Sequence, residues 1–102
     1  MLISSGEKPG QVYARANLAR VLTMIGDFKS ARDLSLQVYQ EAIEVGMPHL
    51  MNFIREVLGE AEGYLGNKEI SRRELEQSLK TAQESGNREI EASILATMAR
   101  IE

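Results

Sequence analysis

The sequence predicts an all-α fold, in which about five helices form antiparallel hairpins that repeat along the chain as a solenoid. Three observations predict it: apolar residues recur at three- and four-residue steps, glycines follow these apolar stripes, and the chain aligns with itself at an offset of 40 residues. Shifting residues 12–62 onto residues 52–102 gives ten identities without a gap, among them Gly46 with Gly86. Since each unit is long enough for two helices, we expect two repeats and half of a third.

Glycines mark the expected ends of the helices. Gly26 and Gly66 each follow an apolar stripe and precede Asp27 or Asn67. Glycine readily adopts the left-handed conformation with which many helices end, and Asp or Asn commonly caps the helix that follows. Pro48 suits the first turn of a helix, because a backbone N–H at that position would have no hydrogen-bond partner within the helix. These residues predict tight turns between consecutive helices.

The apolar spacing places the helices one by one. We expect them near residues 11–25, 28–45, 48–65, 68–85 and 88–101. The first carries an apolar stripe made of Ala14, Leu18, Val21, Leu22 and Ile25. The second has apolar residues on two faces, one with Val38 and the other with Leu36 and Tyr39, so we expect it to contact neighbours on two sides. The short loops force consecutive helices to run antiparallel.

The whole chain, residues 1–102, is expected to form one domain. Within it, residues 1–10 are the tail or remnant of a preceding repeat, residues 11–46 the first repeat, residues 47–86 the second, and residues 87–102 the first helix of a third. A chain of this length leaves no room for a separate catalytic module.

Composition and charge exclude several classes of protein. Apolar residues make up 43% of the chain and charged residues 26%, which suits a globular helical protein and argues against disorder. The formal net charge is −3 and the Lys and Arg residues are scattered, so nucleic acid is not an expected partner. Cysteine is absent, which excludes disulfides and thiolate metal sites. Because neither a signal-peptide pattern nor a membrane-spanning apolar run is present, we expect a cytoplasmic protein without a membrane partner.

No residue pattern predicts an enzyme, a cofactor site or a metal site. His49 is followed by Glu56 and Glu60 at helical spacing, but a metal site of that kind needs matching ligands from a facing helix, and no second His exists. Glu60 and Glu62 fall on different faces of a helix, so they cannot form a paired acid and base. The glycines of residues 59–63 lack the Lys and Ser or Thr of a phosphate loop, and we expect them to permit close contact between helices.

Short motifs recur at the repeat spacing. Leu18-Ala19 and Leu58-Gly59 stand at equivalent positions, Gly26-Asp27-Phe28 forms a turn, and Ala31 follows that turn. With these motifs the chain resembles the tetratricopeptide repeat family, in its 40-residue variety, over about residues 11–102. It departs from the family pattern in lacking a Trp at the start of a repeat, in Lys68 at the position of the turn aromatic, in Glu62 at an apolar position, and in the missing last helix of a full repeat.

The resemblance implies that the first helices of successive hairpins line a concave groove that binds a peptide. Carried over residue by residue, the groove would be lined by Tyr13, Asn17, Arg20, Phe53, Glu56, Glu60, Ser93 and Arg100, with Ala16, Thr23, Val57, Gly63, Ala96 and Thr97 between them. Aromatic residues and both signs of charge suit recognition of a polypeptide. Because Glu56 and Glu60 would repel an acidic tail, we expect a basic or mixed peptide. Two other interpretations stay open: Tyr13 and Phe53 would cap the stacked core, and the charged residues would form a solvated face with weak ion pairs.

The expected function is therefore a non-catalytic adaptor that binds a protein or peptide, for example as a segment of a larger signalling or transcription regulator. The last helix carries Ile94, Leu95, Met98 and Ile101, an apolar surface too large to leave exposed to water. Either the chain is part of a longer repeat protein, or two copies associate through such ends as a homodimer. The alternative function is accordingly a structural self-assembly module.

Overall fold

The structure, a computed structural model, describes residues 9–101 and consists there of five α-helices without a strand. They are α1 (Pro9–Met24), α2 (Phe28–Val45), α3 (Pro48–Tyr64), α4 (Lys68–Ser85) and α5 (Arg88–Ile101). Each helix packs against the next, so the expected array of helical hairpins is confirmed, and α3 also contacts both α1 and α5. Residues 1–8 of the expected N-terminal tail lie outside the described residues, and Pro9 and Gly10 belong to α1 because proline fits the first turn of a helix.

A glycine in the left-handed conformation follows each of the first four helices, as the sequence predicts. The φ angles of Gly26, Gly46, Gly66 and Gly86 are +88°, +80°, +93° and +71°. At Gly46 the backbone N–H donates to the carbonyl oxygens of Ala42 and Ile43, which closes the end of α2. Pro48 lies at the start of α3, also as predicted. The turns therefore follow the 40-residue period of the sequence.

The residues after these glycines do not all cap a helix with their side chains. Oδ1 of Asp27 accepts a hydrogen bond from the backbone N–H of Ser30 at 3.3 Å, as expected. Asn67 makes no such bond, and its Nδ2 instead donates to Oε1 of Glu62 at 2.7 Å. Glu62 is buried, and a buried carboxylate needs a hydrogen-bond donor. The predicted side-chain cap is wrong at Asn67, because its amide group donates to the carboxylate of Glu62 instead of capping α4.

Small and branched apolar side chains fill the core. One cluster joins the first three helices and consists of Val12, Ala16, Ala19, Val38, Ala42, Leu50, Ile54 and Val57. A second cluster of Leu75, Ala82 and Ile94 joins α4 to α5. Helix α3 takes part in contacts with all four other helices. Helix α3 therefore sets the positions of the helices that pack on either side of it.

The predicted apolar stripe of α1 lies mostly outside this core. Leu18, Val21 and Ile25 are exposed, and the buried residues of α1 are Val12, Ala16, Ala19 and Thr23. The spacing identified the helix, but small residues occupy the side that packs against α2 and α3, because they let the helices approach closely. The second apolar face of α2 is also only partly covered, since Leu36 is exposed.

Two glycines let α3 approach its neighbours, which confirms the role expected for residues 59–63. A Cβ added at Gly59 would lie 2.7 Å from Cγ of Leu75 on α4. One added at Gly63 would lie 2.7 Å from Cγ2 of Ile101 on α5. Both distances are shorter than the contacts that non-bonded carbon atoms make, so glycine is required for this spacing of the helices. None of the helices in residues 9–101 has the length and apolar character needed to span a bilayer.

Candidate functional site

Six of the eight predicted groove residues meet on the face formed by α1, α3 and α5. They are Arg20, Phe53, Glu56, Glu60, Ser93 and Arg100. Helix α3 lies between the other two and supplies the carboxylates and the ring, while α1 and α5 supply the arginines and the serine. We refer to these six residues as the central network.

The central network is built around the carboxylate of Glu60. Nη1 of Arg20 lies 3.3 Å from Oε1 of Glu60, and Nη2 of Arg100 lies 3.3 Å from Oε2. Each arginine is 40 residues from Glu60, so the three residues hold the same position in consecutive repeats. One carboxylate thereby links the first helices of all three units.

Glu56 lies one turn before Glu60 on α3 and has partners of its own. Nη2 of Arg20 lies 3.5 Å from Oε2 of Glu56, and Oγ of Ser93 donates to the same oxygen at 2.9 Å. Two glutamates four residues apart on a helix repel each other. Because Arg20 contacts both carboxylates, it offsets this repulsion and ties them to α1.

The two carboxylates of the central network are buried, while its arginines reach the surface. Glu56 and Glu60 are 3% and 8% exposed. The side chains of Arg20 and Arg100 are 27% and 52% exposed. The interpretation as a solvated face is therefore wrong for the glutamates, although ion pairs between repeats are present. The sequence predicts that Glu56 and Glu60 repel an acidic peptide. Because both carboxylates are buried and paired with arginines, they give no reason to expect that repulsion.

Arg100 is the more accessible of the two arginines and stays charged. Partial burial lowers its pKa, but the hydrogen bonds and charge interactions of Arg100 with Glu60 and Tyr64 together raise the pKa by more, so the net shift is upward. Nη2 also donates to Oγ1 of Thr97 at 3.1 Å. A guanidinium has five N–H donors, so further donors are available to a ligand at this end of the face.

The aromatic residues of the candidate site have different environments. Phe53 packs against the core cluster, and the guanidinium carbon of Arg20 lies 5.5 Å from the centre of its ring, a cation–π contact. Phe53 therefore caps the core, as one of the two interpretations held. Tyr13 is 47% exposed and Asn17 is also exposed. Within residues 9–101, no hydrogen bond or ring contact joins Tyr13 or Asn17 to the central network.

Four other positions that the resemblance placed in the groove are buried instead. They are Ala16, Thr23, Val57 and Thr97. Ala16 and Val57 belong to the core cluster of the first three helices, and Oγ1 of Thr23 donates to the carbonyl oxygen of Arg20 at 2.6 Å. The face that a ligand can reach is therefore narrower than the one expected from the sequence.

Sequence reasoning missed a second polar cluster, which joins α2, α3 and α4. Nε of Arg55 lies 3.4 Å from Oε1 of Glu74, and its guanidinium carbon lies 5.4 Å from the centre of the ring of Tyr39. These residues line a cleft of about 300 Å³. The identity of Arg15 and Arg55 at the repeat offset was the available signal, since Arg15 also pairs with a residue of the following helix, Glu41.

Among residues 9–101, no group of three or more His, Cys, Asp or Glu side chains is placed to hold a metal ion. The candidate site is thus the central network, with the exposed side chains of Tyr13 and Asn17 beside it. The chain matches no protein-family model, and comparisons with curated proteins and with solved structures give no significant match.

Proposed function

We propose that this chain is a non-catalytic polypeptide-binding module of the tetratricopeptide type, which holds an extended peptide along the face of α1, α3 and α5. The observation that carries the proposal is the central network, in which the buried carboxylate of Glu60 links Arg20 of α1 to Arg100 of α5, and both arginines reach the surface. An extended peptide presents unpaired carbonyl oxygens along its length, and these need donors. Arg20 and Arg100, one on each side of Glu60, can supply such donors from α1 and α5.

Three exposed side chains are the expected contacts of the peptide. Tyr13 offers an aromatic anchor, a residue type that often dominates binding free energy. Asn17 lies one turn further along α1 and has both donor and acceptor atoms. Arg100 has donors left for a carboxylate or a carbonyl oxygen of the ligand. Because Tyr13 belongs to α1 and Arg100 to α5, a peptide that meets both has to cross α3.

The peptide we propose has mixed charge and carries an acidic residue. Glu56 and Glu60 are buried and paired, so they present little negative charge to a ligand. An acidic side chain of the peptide would meet Arg100, and an apolar or aromatic side chain would meet Tyr13. Because Arg100 has N–H donors beyond those that contact Glu60 and Thr97, the contact with the acidic side chain contributes to both specificity and affinity.

Selection from a peptide display library against the whole chain, followed by fluorescence anisotropy with the selected peptides, tests this function. We expect acidic residues at one fixed position among the selected peptides. We also expect Tyr13→Ala and Arg100→Ala each to weaken binding about tenfold, because each truncates an anchor.

Arg73→Ala is the matched control for Arg100→Ala. Arg73 is on α4, its side chain is 71% exposed, and its loss changes the net charge by the same amount. We expect it to leave the affinity unchanged. Equal losses for Arg73→Ala and Arg100→Ala, or selected peptides without an acidic residue, would contradict the proposed contact.

A further inference from the structure

One side of α5 carries an exposed row of small and apolar residues. Ala92, Leu95 and Ala99 recur at steps of three and four residues, so they form one stripe of the helix. All three are exposed, and Leu95 is 48% exposed. We call these three residues the α5 seam.

The equivalent stripe of α3 is covered by a helix. It consists of Asn52, Arg55 and Gly59, each 40 residues before a member of the α5 seam. Oγ of Ser78 on α4 donates to the carbonyl oxygen of Asn52 at 3.2 Å. A Cβ at Gly59 would lie 2.7 Å from Cγ of Leu75, also on α4. By the repeat offset, the α5 seam is the counterpart of a surface that a following antiparallel helix covers, and no helix in residues 9–101 covers the seam. Ala99 stands where α3 has Gly59, so a helix on the seam has to lie further away than α4 lies from α3.

We propose that α5 of a second copy of this chain covers the α5 seam, antiparallel to the first and related to it by a two-fold axis near Leu95. This axis puts Leu95 beside its own counterpart and Ala92 opposite Ala99 of the other copy. Alanines on both sides of the leucines let the two helices approach closely. A two-fold axis also makes the surface complementary to itself, as a closed dimer requires. The antiparallel pairing continues the alternation of helix direction along the array.

The charges at the two ends of α5 favour this occupant. The first turn of α5 carries Glu89 and Glu91 against a single basic residue, Arg88, and is therefore acidic in balance. A cleft of about 360 Å³ lies between α4 and the last turns of α5, and its rim carries Lys68 and Arg72 against a single carboxylate, Glu76. In the antiparallel pairing, the first turn of one α5 lies beside the last turn of the other. The acidic turn of each copy therefore meets the basic rim of its partner.

The dimer does not depend on the peptide-binding function. Ser93 and Arg100 contact α3 through Glu56 and Glu60, whereas the α5 seam lies on a different stripe of α5. Pairing through the seam leaves Arg20, Phe53, Glu56 and Glu60 outside the interface, because these members of the central network lie on α1 and α3. The dimer can therefore be tested independently of peptide binding, and one proposal can be wrong while the other holds.

Sedimentation equilibrium over a range of protein concentrations tests the dimer. We expect the native chain to dimerise reversibly, and Leu95→Glu to weaken association about tenfold or more, because a charge then lies at the centre of the interface. Leu36→Glu is the matched control, since Leu36 is a similarly exposed leucine on α2 and its replacement adds the same charge. Circular dichroism checks that both variants keep their helicity. A native chain that stays monomeric at every concentration would overturn the proposal.

A second pair of experiments tests the geometry. The chain has no cysteine, so Leu95→Cys introduces a single thiol beside the two-fold axis, and oxidation should link two copies more readily than in Leu36→Cys. Glu91→Lys and Arg72→Glu should each weaken the dimer and together restore it. Preferential linking through Leu18→Cys on α1, loss of the dimer in Leu18→Glu but not in Leu95→Glu, or failure of the double variant to restore association would refute the α5 interface.

Discussion

Arg20 and Arg100 contact different oxygens of the same carboxylate, that of Glu60. Nη1 of Arg20 lies 3.3 Å from Oε1, and Nη2 of Arg100 lies 3.3 Å from Oε2. Both oxygens of a buried side chain are thereby satisfied by cations from two other helices. Because the contacts run from α1 to α3 and from α3 to α5, they couple the orientation of three helices through one residue.

Replacing Glu60 by Gln should destabilise the fold. The change removes the negative charge between Arg20 and Arg100 and leaves both cations close to each other. Loss of one partner of a fully buried pair costs more, but here the arginines are partly exposed and screened, so we expect a loss of about 1–2 kcal/mol. Urea unfolding followed by circular dichroism measures it.

Glu76→Gln is the control for that experiment. Glu76 is exposed on α4 and belongs to no ion pair within residues 9–101, so neutralising it should change the unfolding midpoint very little. A loss of stability in Glu76→Gln as large as that in Glu60→Gln would show that general charge, and not the central network, is responsible.

Replacing Gly59 by Ala should also destabilise the chain, although alanine is the better helix former. The new Cβ would lie 2.7 Å from Cγ of Leu75, which is itself buried and cannot move away freely. Overpacking of this kind costs about 1–3 kcal/mol, which exceeds the gain of about 1 kcal/mol in helix propensity. Gly10→Ala on α1 meets no atom within 4 Å and should be neutral or stabilising. If the midpoints of the two variants shift in the same direction, the close contact is not the cause.

The stacked rings of Phe28 and Tyr64 should contribute to stability as a pair. Their centroids are 4.6 Å apart and their planes differ by 16°, so the start of α2 and the end of α3 are held together. A double-mutant cycle with Phe28→Leu and Tyr64→Leu should give a coupling of about 0.5–1.5 kcal/mol. Additive effects of the two substitutions would mean that the stacking contributes nothing beyond burial.

The positions of the helices could be predicted because two independent signals agree. The apolar spacing and the left-handed glycines both follow the 40-residue period, and α2, α4 and α5 have the predicted bounds. The candidate face was also predictable in part. Arg20, Glu60 and Arg100 alternate in charge at the repeat offset, which places opposite charges side by side once the first helices are aligned.

The apolar spacing of α1 did not identify its buried side, because periodicity identifies a stripe without identifying its neighbour. The stripe with Leu18 and Val21 is more apolar than the one with Ala16 and Ala19, yet the alanines are buried. Close approach of α1 to α2 and α3 favours the smaller side chains. The depth of Glu56 depends on the same spacing between helices, so it could not be derived from residue type either.

The hydrogen bond between Asn67 and Glu62 leads to a prediction that distinguishes two roles of a residue at the start of a helix. One role is to cap the helix, and the other is to donate to a nearby carboxylate. At such a position Asp is ordinarily as good as Asn, because it accepts from the backbone and complements the helix dipole. Here Nδ2 of Asn67 donates to Glu62 at 2.7 Å, so Asn67→Asp would replace this donor by a second carboxylate. We expect a loss of about 1–2 kcal/mol near neutral pH, since two like charges would face each other at a partly buried site.

The effect of Asn67→Asp should depend on pH, and its sign follows from the protons bound. Repulsion between the two carboxylates raises the pKa of one of them in the folded state, so the folded variant binds a proton more readily than the unfolded chain. Its deficit relative to the native chain should therefore shrink as the pH is lowered into the range in which carboxylates titrate. Asp27→Asn, at the equivalent turn where the side chain does cap the helix, keeps its acceptor and should show neither the loss nor this pH dependence. Urea unfolding at neutral and mildly acidic pH compares the two variants, and a deficit for Asn67→Asp that is independent of pH would contradict the role assigned to Glu62.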